Sequence, residues 1–209
     1  MQSPPKACKI SQLIHRYPCP KPMLNLNLLK RRRVEIAQLI FWPLFIYLFV
    51  LLRIEVSPIT ALGGIAGLAL TSVGLLIRSL SAGFISKNRA LAATGLYALT
   101  RNPLYFGSFL MLLGINLIIW HWLFALVTIA LFALTYIPTI SGEEKHLAKT
   151  FPEDWPRFKA QTPRFFPAFW RLRAYTEIEW SLSQWKRNRE YNALIVFAVL
   201  VLGWLWYTA

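Results

Sequence analysis

Long apolar runs separated by short basic stretches set the pattern of this chain. Five runs stand out, at 34–52, 59–80, 104–119, 123–140 and 193–207. A helix crossing a bilayer needs about 20 apolar residues, with a tolerated range of about 17 to 25. The third and fifth runs are short by that measure, and the third gains length if it starts in the TGLYALT stretch before it or continues through Trp122. The pattern predicts an all-α fold: a polytopic membrane helix bundle of about five transmembrane helices. The expected organisation is a basic, proline-rich tail at 1–33, a membrane core at 34–192 and a C-terminal transmembrane helix at 193–209.

Composition supports a membrane class. The 209 residues are 56% hydrophobic and only 15% charged, with a mean hydropathy of +0.44. Soluble domains average roughly 25% charged residues. Lys and Arg number 23 against 9 acids, a net charge of +14. Such an excess suits a nucleic-acid binder, but its distribution suits a membrane orientation signal better. Eight cations precede the first run, four stand from the end of the second run (Arg78) to the start of the third, and ten lie between the fourth and fifth; only Arg53 falls on the other side. Short cationic loops stay cytoplasmic. The expected topology is therefore multi-pass with the N-terminus cytoplasmic, with anionic lipid head groups as partners of the basic face and no nucleic acid. Aromatics at the ends of runs agree, with Trp120-His121-Trp122 in a short turn and Trp204, Trp206 and Tyr207 at the end of the last run. Rings of this kind favour the head-group level.

The remaining segments refine the picture. No apolar core precedes residue 34, so the first run is expected to act as an uncleaved signal anchor. Cys8 and Cys19 lie in the tail at a spacing unlike a metal site and are expected to be free thiols. The second run carries Gly63, Gly64, Gly67, Thr71 and Gly74. Small residues at this spacing let helices approach closely, and packing within the chain is the first expectation. Residues 141–192 mix prolines, aromatics and cations, the composition of a segment lying in the membrane interface. It is also placed to cap a pocket, and 174–190 is expected to form an interfacial helix.

Chemistry gathers at two places. The string TGLYALTRNPLYFG at 94–107 ends a loop and opens the third span. Pro103 suits a first helical turn, and Asn102 before it is biased to an extended conformation and is expected to cap the helix. An ordinary capped start with a snorkelling Arg101 accounts for the string equally well. Glu143-Glu144 follows where the fourth span returns to the same side. Adjacent residues of a helix project about 100° apart, so one carboxylate faces the bundle and the other the loop. Ionisable groups at a membrane boundary mark a candidate functional site. Glu143 and His146 also form a Glu-x-x-His, but a di-metal site needs a second copy, and no metal is expected.

The string at 94–107, Glu143-Glu144 and the stretch FPEDWPRFKAQTPRFFP at 151–167 together resemble the isoprenylcysteine carboxyl methyltransferase and phospholipid methyltransferase superfamily. The resemblance spans about 59–167. It implies an integral membrane methyltransferase that uses S-adenosylmethionine, with its active site on the cytoplasmic side and a lipid-like or prenylated acceptor. Carried over by position, it assigns Arg101, Asn102 and Tyr105 to catalysis. Gly95, Tyr97, Arg101, Pro103, Tyr105, Glu143 and Glu144 are assigned to the cofactor, within a pocket completed by 141–173. Trp155, Phe158 and Arg164 are assigned to the acceptor or cap. Asn102 stands where the family usually has His, Leu96 where it has Pro, Trp155 and Phe158 where it has Tyr, and Thr162 where it has Val. The loss of His puts acid–base work at position 102 in doubt. A carboxylate acceptor needs no general base, whereas an amine must first lose a proton. Two other readings compete: an NADPH-dependent steroid-reductase-like enzyme and a non-catalytic membrane protein that keeps the fold.

Overall fold

The computed structural model describes residues 56–58, 61–84, 91, 93–174 and 180–208, with isolated positions at 39, 43, 46 and 47. The expected first span, the tail with Cys8 and Cys19, and Arg53, Lys87 and Arg89 lie wholly or almost wholly outside them. Every regular element among the described residues is helical, and none is a strand. Helix α1 is Leu62–Phe84 and α2 is Pro103–Ile119; α3 is Trp122–Thr150, α4 Trp155–Gln161, α5 Leu182–Arg187 and α6 Tyr191–Thr208. Two 3-10 turns, Gly95–Ala98 and Phe169–Ala174, precede α2 and follow α4. By length and composition α1 and α3 can cross a membrane, and the apolar helices Pro103–Ile119 and Tyr191–Trp206 are shorter.

The small residues of the second run work as packing surface. A Cβ added to Gly74 would lie 2.5 Å from the Gly107 carbonyl oxygen, and one on Gly67 would lie 2.6 Å from that of Gly114. The backbones of α1 and α2 therefore touch along one seam. Close approach of this kind replaces hydrophobic driving force with dispersion between backbones. Thr71 fits against Gly114 and returns its hydroxyl to the Gly67 carbonyl at 2.8 Å. Gly107 belongs to this seam, where a Cβ would lie 2.6 Å from the Gly74 carbonyl oxygen.

A tight corner reverses the chain between α2 and α3. Trp120 takes the left-handed conformation at φ 48°, and its N–H bonds the Asn116 carbonyl at 2.8 Å. His121 caps α3, its Nδ1 accepting from the Phe124 N–H. The 17 residues of α2 rise about 25 Å and then descend along α3, so the register alone brings 101–105 level with the early 140s. Helix α3 continues ten residues past its expected end at 140, through Glu143-Glu144 to Thr150. At about 1.5 Å per residue its 29 residues exceed the roughly 30 Å of a hydrocarbon core. The two glutamates therefore ride on a rigid helix.

The bundle has two distinct ends. At one, the Ser57 N–H bonds the Ile118 carbonyl at 2.9 Å and Trp204 Nε1 donates to the Ser57 carbonyl at 3.0 Å. At the other stand Arg78, Arg101, Glu143, Glu144, Arg164 and Glu190. In place of the interfacial helix expected over 174–190, the described part holds the six-residue α5, docked on the end of α1. Trp185 Nε1 donates to Ser79 Oγ at 2.8 Å, Asn188 Nδ2 to the Ala82 carbonyl at 2.7 Å, and the Ser181 N–H to the Gly83 carbonyl at 3.2 Å. The helix is short because α1 takes the Ser181 N–H at its start and Arg189 turns left-handed, at φ 57°, just after its end.

Candidate functional site

Three segments distant in sequence meet at the charged end: the approach to α2, the later turns of α3 and the strand-like return after α4. The return lies along 99–102. The Arg101 N–H donates to the Pro163 carbonyl at 2.9 Å, and the Ala168 N–H to the Leu99 carbonyl at 2.9 Å. Thr100 Oγ1 donates to the Phe165 carbonyl at 2.9 Å, and Asn102 Nδ2 to the Arg164 carbonyl at 2.8 Å. Contrary to the expectation from sequence, Asn102 therefore does not cap α2 with its side chain. A closer acceptor on the returning strap takes the amide.

The charges interlock around Glu144. Arg101 Nη1 stands 3.3 Å from Oε1 and Arg164 Nε 3.2 Å from Oε2. Asn102 Nδ2 also reaches Oε1, at 3.5 Å, and Arg164 Nη2 donates to Ser141 Oγ at 2.6 Å. Glu143 points elsewhere and accepts from the Tyr105 hydroxyl at 2.8 Å. The 100° between adjacent helical residues is what divides the two carboxylates between two partner sets. Tyr105 is braced edge-on against Tyr136 at 5.2 Å, and Tyr136 stacks on Phe132 at 4.3 Å.

Arg101 is the odd member. Its guanidinium lies 5.8 Å above the Trp155 ring, within cation–π range. Yet its Nε and Nη1 are buried without a hydrogen-bond partner among the described residues. The ion pair to Glu144 is close enough for attraction but lacks hydrogen-bond geometry. Buried donors of a charged group are normally satisfied, so this cation is set up to receive a further acceptor.

Tyr97 is buried behind this cluster. Burial, and after it the negative charge of Glu143 and Glu190, push its phenol well above the ordinary value near 10. It is a neutral hydroxyl at any physiological pH. Gly95 takes φ +59°, and a Cβ there would meet the Phe84 ring at 3.1 Å. Glycine is needed there by its backbone conformation and by the tight fit against Phe84. Pro103 is buried at the start of α2. Trp155 and Phe158 are buried and paired at 6.0 Å. Phe158 also lines a groove of about 470 Å³ with Leu91, Ala93, Phe151, Asp154, Arg157 and Gln161. Every assigned position from Tyr97 to Arg164 thus falls at one end of the bundle.

Sequence reasoning missed a second polar cluster. Arg78 on α1 pairs with Glu190 through Nε to Oε2 at 2.8 Å and Nη2 to Oε1 at 3.1 Å, while Nη1 donates to Ser108 Oγ at 2.5 Å. Glu190 is buried. The available signal was an acid just before the last apolar run and an arginine within the last two turns of another. Among the described residues no group of three or more His, Cys, Asp or Glu is placed to hold a metal ion.

Comparison with known proteins agrees with the motif. Residues 59–154 match the phospholipid methyltransferase family. The chain is 36% identical over 138 residues to the cobalt-zinc-cadmium resistance protein CzcN of Cupriavidus metallidurans, which covers 64% of this chain and 61% of that protein. It is 30% identical over 127 residues to the nickel-cobalt-cadmium resistance protein NccN of Alcaligenes xylosoxydans xylosoxydans, covering 60% of this chain and 58% of that protein. The matches thus span about three-fifths of the length of these relatives. No solved structure matches. The resemblance to the isoprenylcysteine carboxyl and phospholipid methyltransferase superfamily is borne out over the matched segment.

Proposed function

We propose that this chain, whose residues 59–154 match the phospholipid methyltransferase family, is a multi-pass membrane enzyme of about five spans. It transfers a methyl group from S-adenosylmethionine to a lipophilic acceptor, an isoprenylcysteine-type carboxylate, a phospholipid amine or a relative, at the cytoplasmic face. The observation that carries this reading is the convergence of Arg101 and Tyr105 on Glu144 and Glu143 across about 40 residues of chain.

The residues suit the cofactor. The buried Arg101 donors that lack hydrogen bonds would donate to its carboxylate, a charge-assisted contact stronger than a neutral one. Glu143, oriented by Tyr105, would take its ammonium or ribose hydroxyls, and the groove beside Phe158 has room for the nucleoside. When bound, the cofactor supplies an electrophilic methyl on a sulfonium. The protein's own part is positioning in a dry site, which removes much of the barrier to an in-line displacement. Asn102 and Arg164 fix Glu144, Glu144 fixes Arg101, and Trp155 floors the cation. With Asn102 tied to a backbone carbonyl, proton removal falls to no histidine at that position, which favours an acceptor already ionised at neutral pH.

Incubating membranes that contain the protein with methyl-labelled S-adenosylmethionine tests this. Label is expected in an extractable lipid or prenylated product, and a Glu144→Gln variant is expected to lose it. Label confined to water-soluble material would contradict the lipophilic acceptor.

The names of the relatives favour a physiological setting as well: resistance to cobalt, zinc, nickel or cadmium. A strain lacking this gene is then expected to grow less well on one of these metals, and to recover with the wild-type gene but not with the Glu144→Gln variant. Equal growth on all four would remove this setting while leaving the chemistry in place.

A further inference from the structure

The strap after α4 has two faces with opposite demands. Its backbone is a wall of the site, since the carbonyls of Pro163, Arg164 and Phe165 hold Arg101, Asn102 and Thr100. Phe165 plugs the crevice between α2 and α3, edge-on to Phe106 at 5.8 Å and Phe109 at 5.6 Å. The next rings turn the other way: Phe166, Phe169 and Trp170 are 68%, 63% and 84% exposed. From Glu153 to Arg171 the segment holds four cations, Arg157, Lys159, Arg164 and Arg171, against two acids, Glu153 and Asp154, and of the cations Arg157 and Lys159 are exposed. An aromatic edge on a segment with a net excess of cations fits an anionic membrane surface, with rings in the acyl boundary and cations at phosphates. Water leaves the rings unsatisfied, and a neutral surface leaves the cations so.

We propose that anionic lipid assembles this site: seating the Phe166–Trp170 edge in an anionic leaflet presses the strap against residues 99–102 and fixes Arg101 and Asn102. The partner is the leaflet itself, through phosphate-bearing anionic head groups. The proposal concerns the wall of the site whose use is inferred above, and its readout is independent of any cofactor. Two amides report on strap docking, Arg101 to Pro163 and Ala168 to Leu99.

The experiment is hydrogen exchange on the full chain in nanodiscs of phosphatidylcholine alone and of phosphatidylcholine with phosphatidylglycerol. Protection of the Arg101 and Ala168 amides is expected to rise roughly tenfold with phosphatidylglycerol, and to fall back in high salt as screening shortens the reach of the charges. A triple variant, Phe166→Ser, Phe169→Ser and Trp170→Ser, is expected to fold, because these rings are exposed, and to lose the lipid response. So is Arg157→Gln with Lys159→Gln. Equal protection in the two nanodiscs would overturn the proposal, and so would a lipid response that survives in both variants. Either outcome leaves the methyl-transfer reading to its own labelling test.

Discussion

The Glu144 carboxylate is the residue on which the site turns. Two cations and an amide converge on it, so removing its charge leaves Arg101 buried with even fewer acceptors. Arg164 is nearly half exposed, and its share is screened by water. The cost of Glu144→Gln therefore falls mainly on Arg101, and stability is expected to drop by about 2 kcal/mol, in the range for a stranded buried polar group. Denaturant midpoints in detergent measure this, with Arg164→Gln costing less than half as much. Tyr97 gives a pH prediction. Its phenol is raised in the fold relative to the unfolded chain, so ionisation favours unfolding. Its contribution is fully present below about pH 10 and is lost as pH rises further. Unfolding midpoints between neutral and strongly alkaline pH are expected to fall in the wild type and to fall less in Tyr97→Phe. A similar slope in both would mean that Tyr97 is not buried as described.

At the scale of elements, the glycine seam of α1 and α2 and the Arg78–Glu190 clamp hold the charged end together. Gly74→Val would drive a side chain into the Gly107 backbone and is expected to cost about 3 kcal/mol or more, at the upper end of overpacking. Gly203→Ala, with nothing within 4 Å, is expected to be neutral or slightly stabilising. Thermal midpoints of the two variants separate seam from surface. Breaking the buried clamp with Glu190→Gln is expected to cost about 3 kcal/mol, since Arg78 keeps its charge and loses its carboxylate. The seam was legible in sequence because Gly63, Gly67 and Gly74 announce a close contact. The clamp was not, because Arg78 and Glu190 are 112 positions apart and no local pattern pairs them. Asn102 shows a further limit. Its position before Pro103 predicts a cap by local rules, but the strap that outcompetes those rules comes from 62 positions downstream.

For the whole molecule, the governing fact is that hairpin register and a long rigid α3 bring two chemically loaded helix ends level. The apolar pattern was enough to foresee this, since two spans joined by a turn must return the chain to its starting face. The pattern did not foresee that Glu144 would be braced by Arg164, or that the cation facing it would keep buried donors open. Those features give the site its proposed use, and ligand binding tests that use most directly. Equilibrium titration of purified protein in nanodiscs, with S-adenosylmethionine and separately with NADPH, is the decisive measurement. The account predicts saturable binding of S-adenosylmethionine, weakened at least tenfold in Glu144→Gln, and none of NADPH. Binding of NADPH in its place, or a Glu144→Gln variant that binds S-adenosylmethionine as tightly as the wild type, would contradict it.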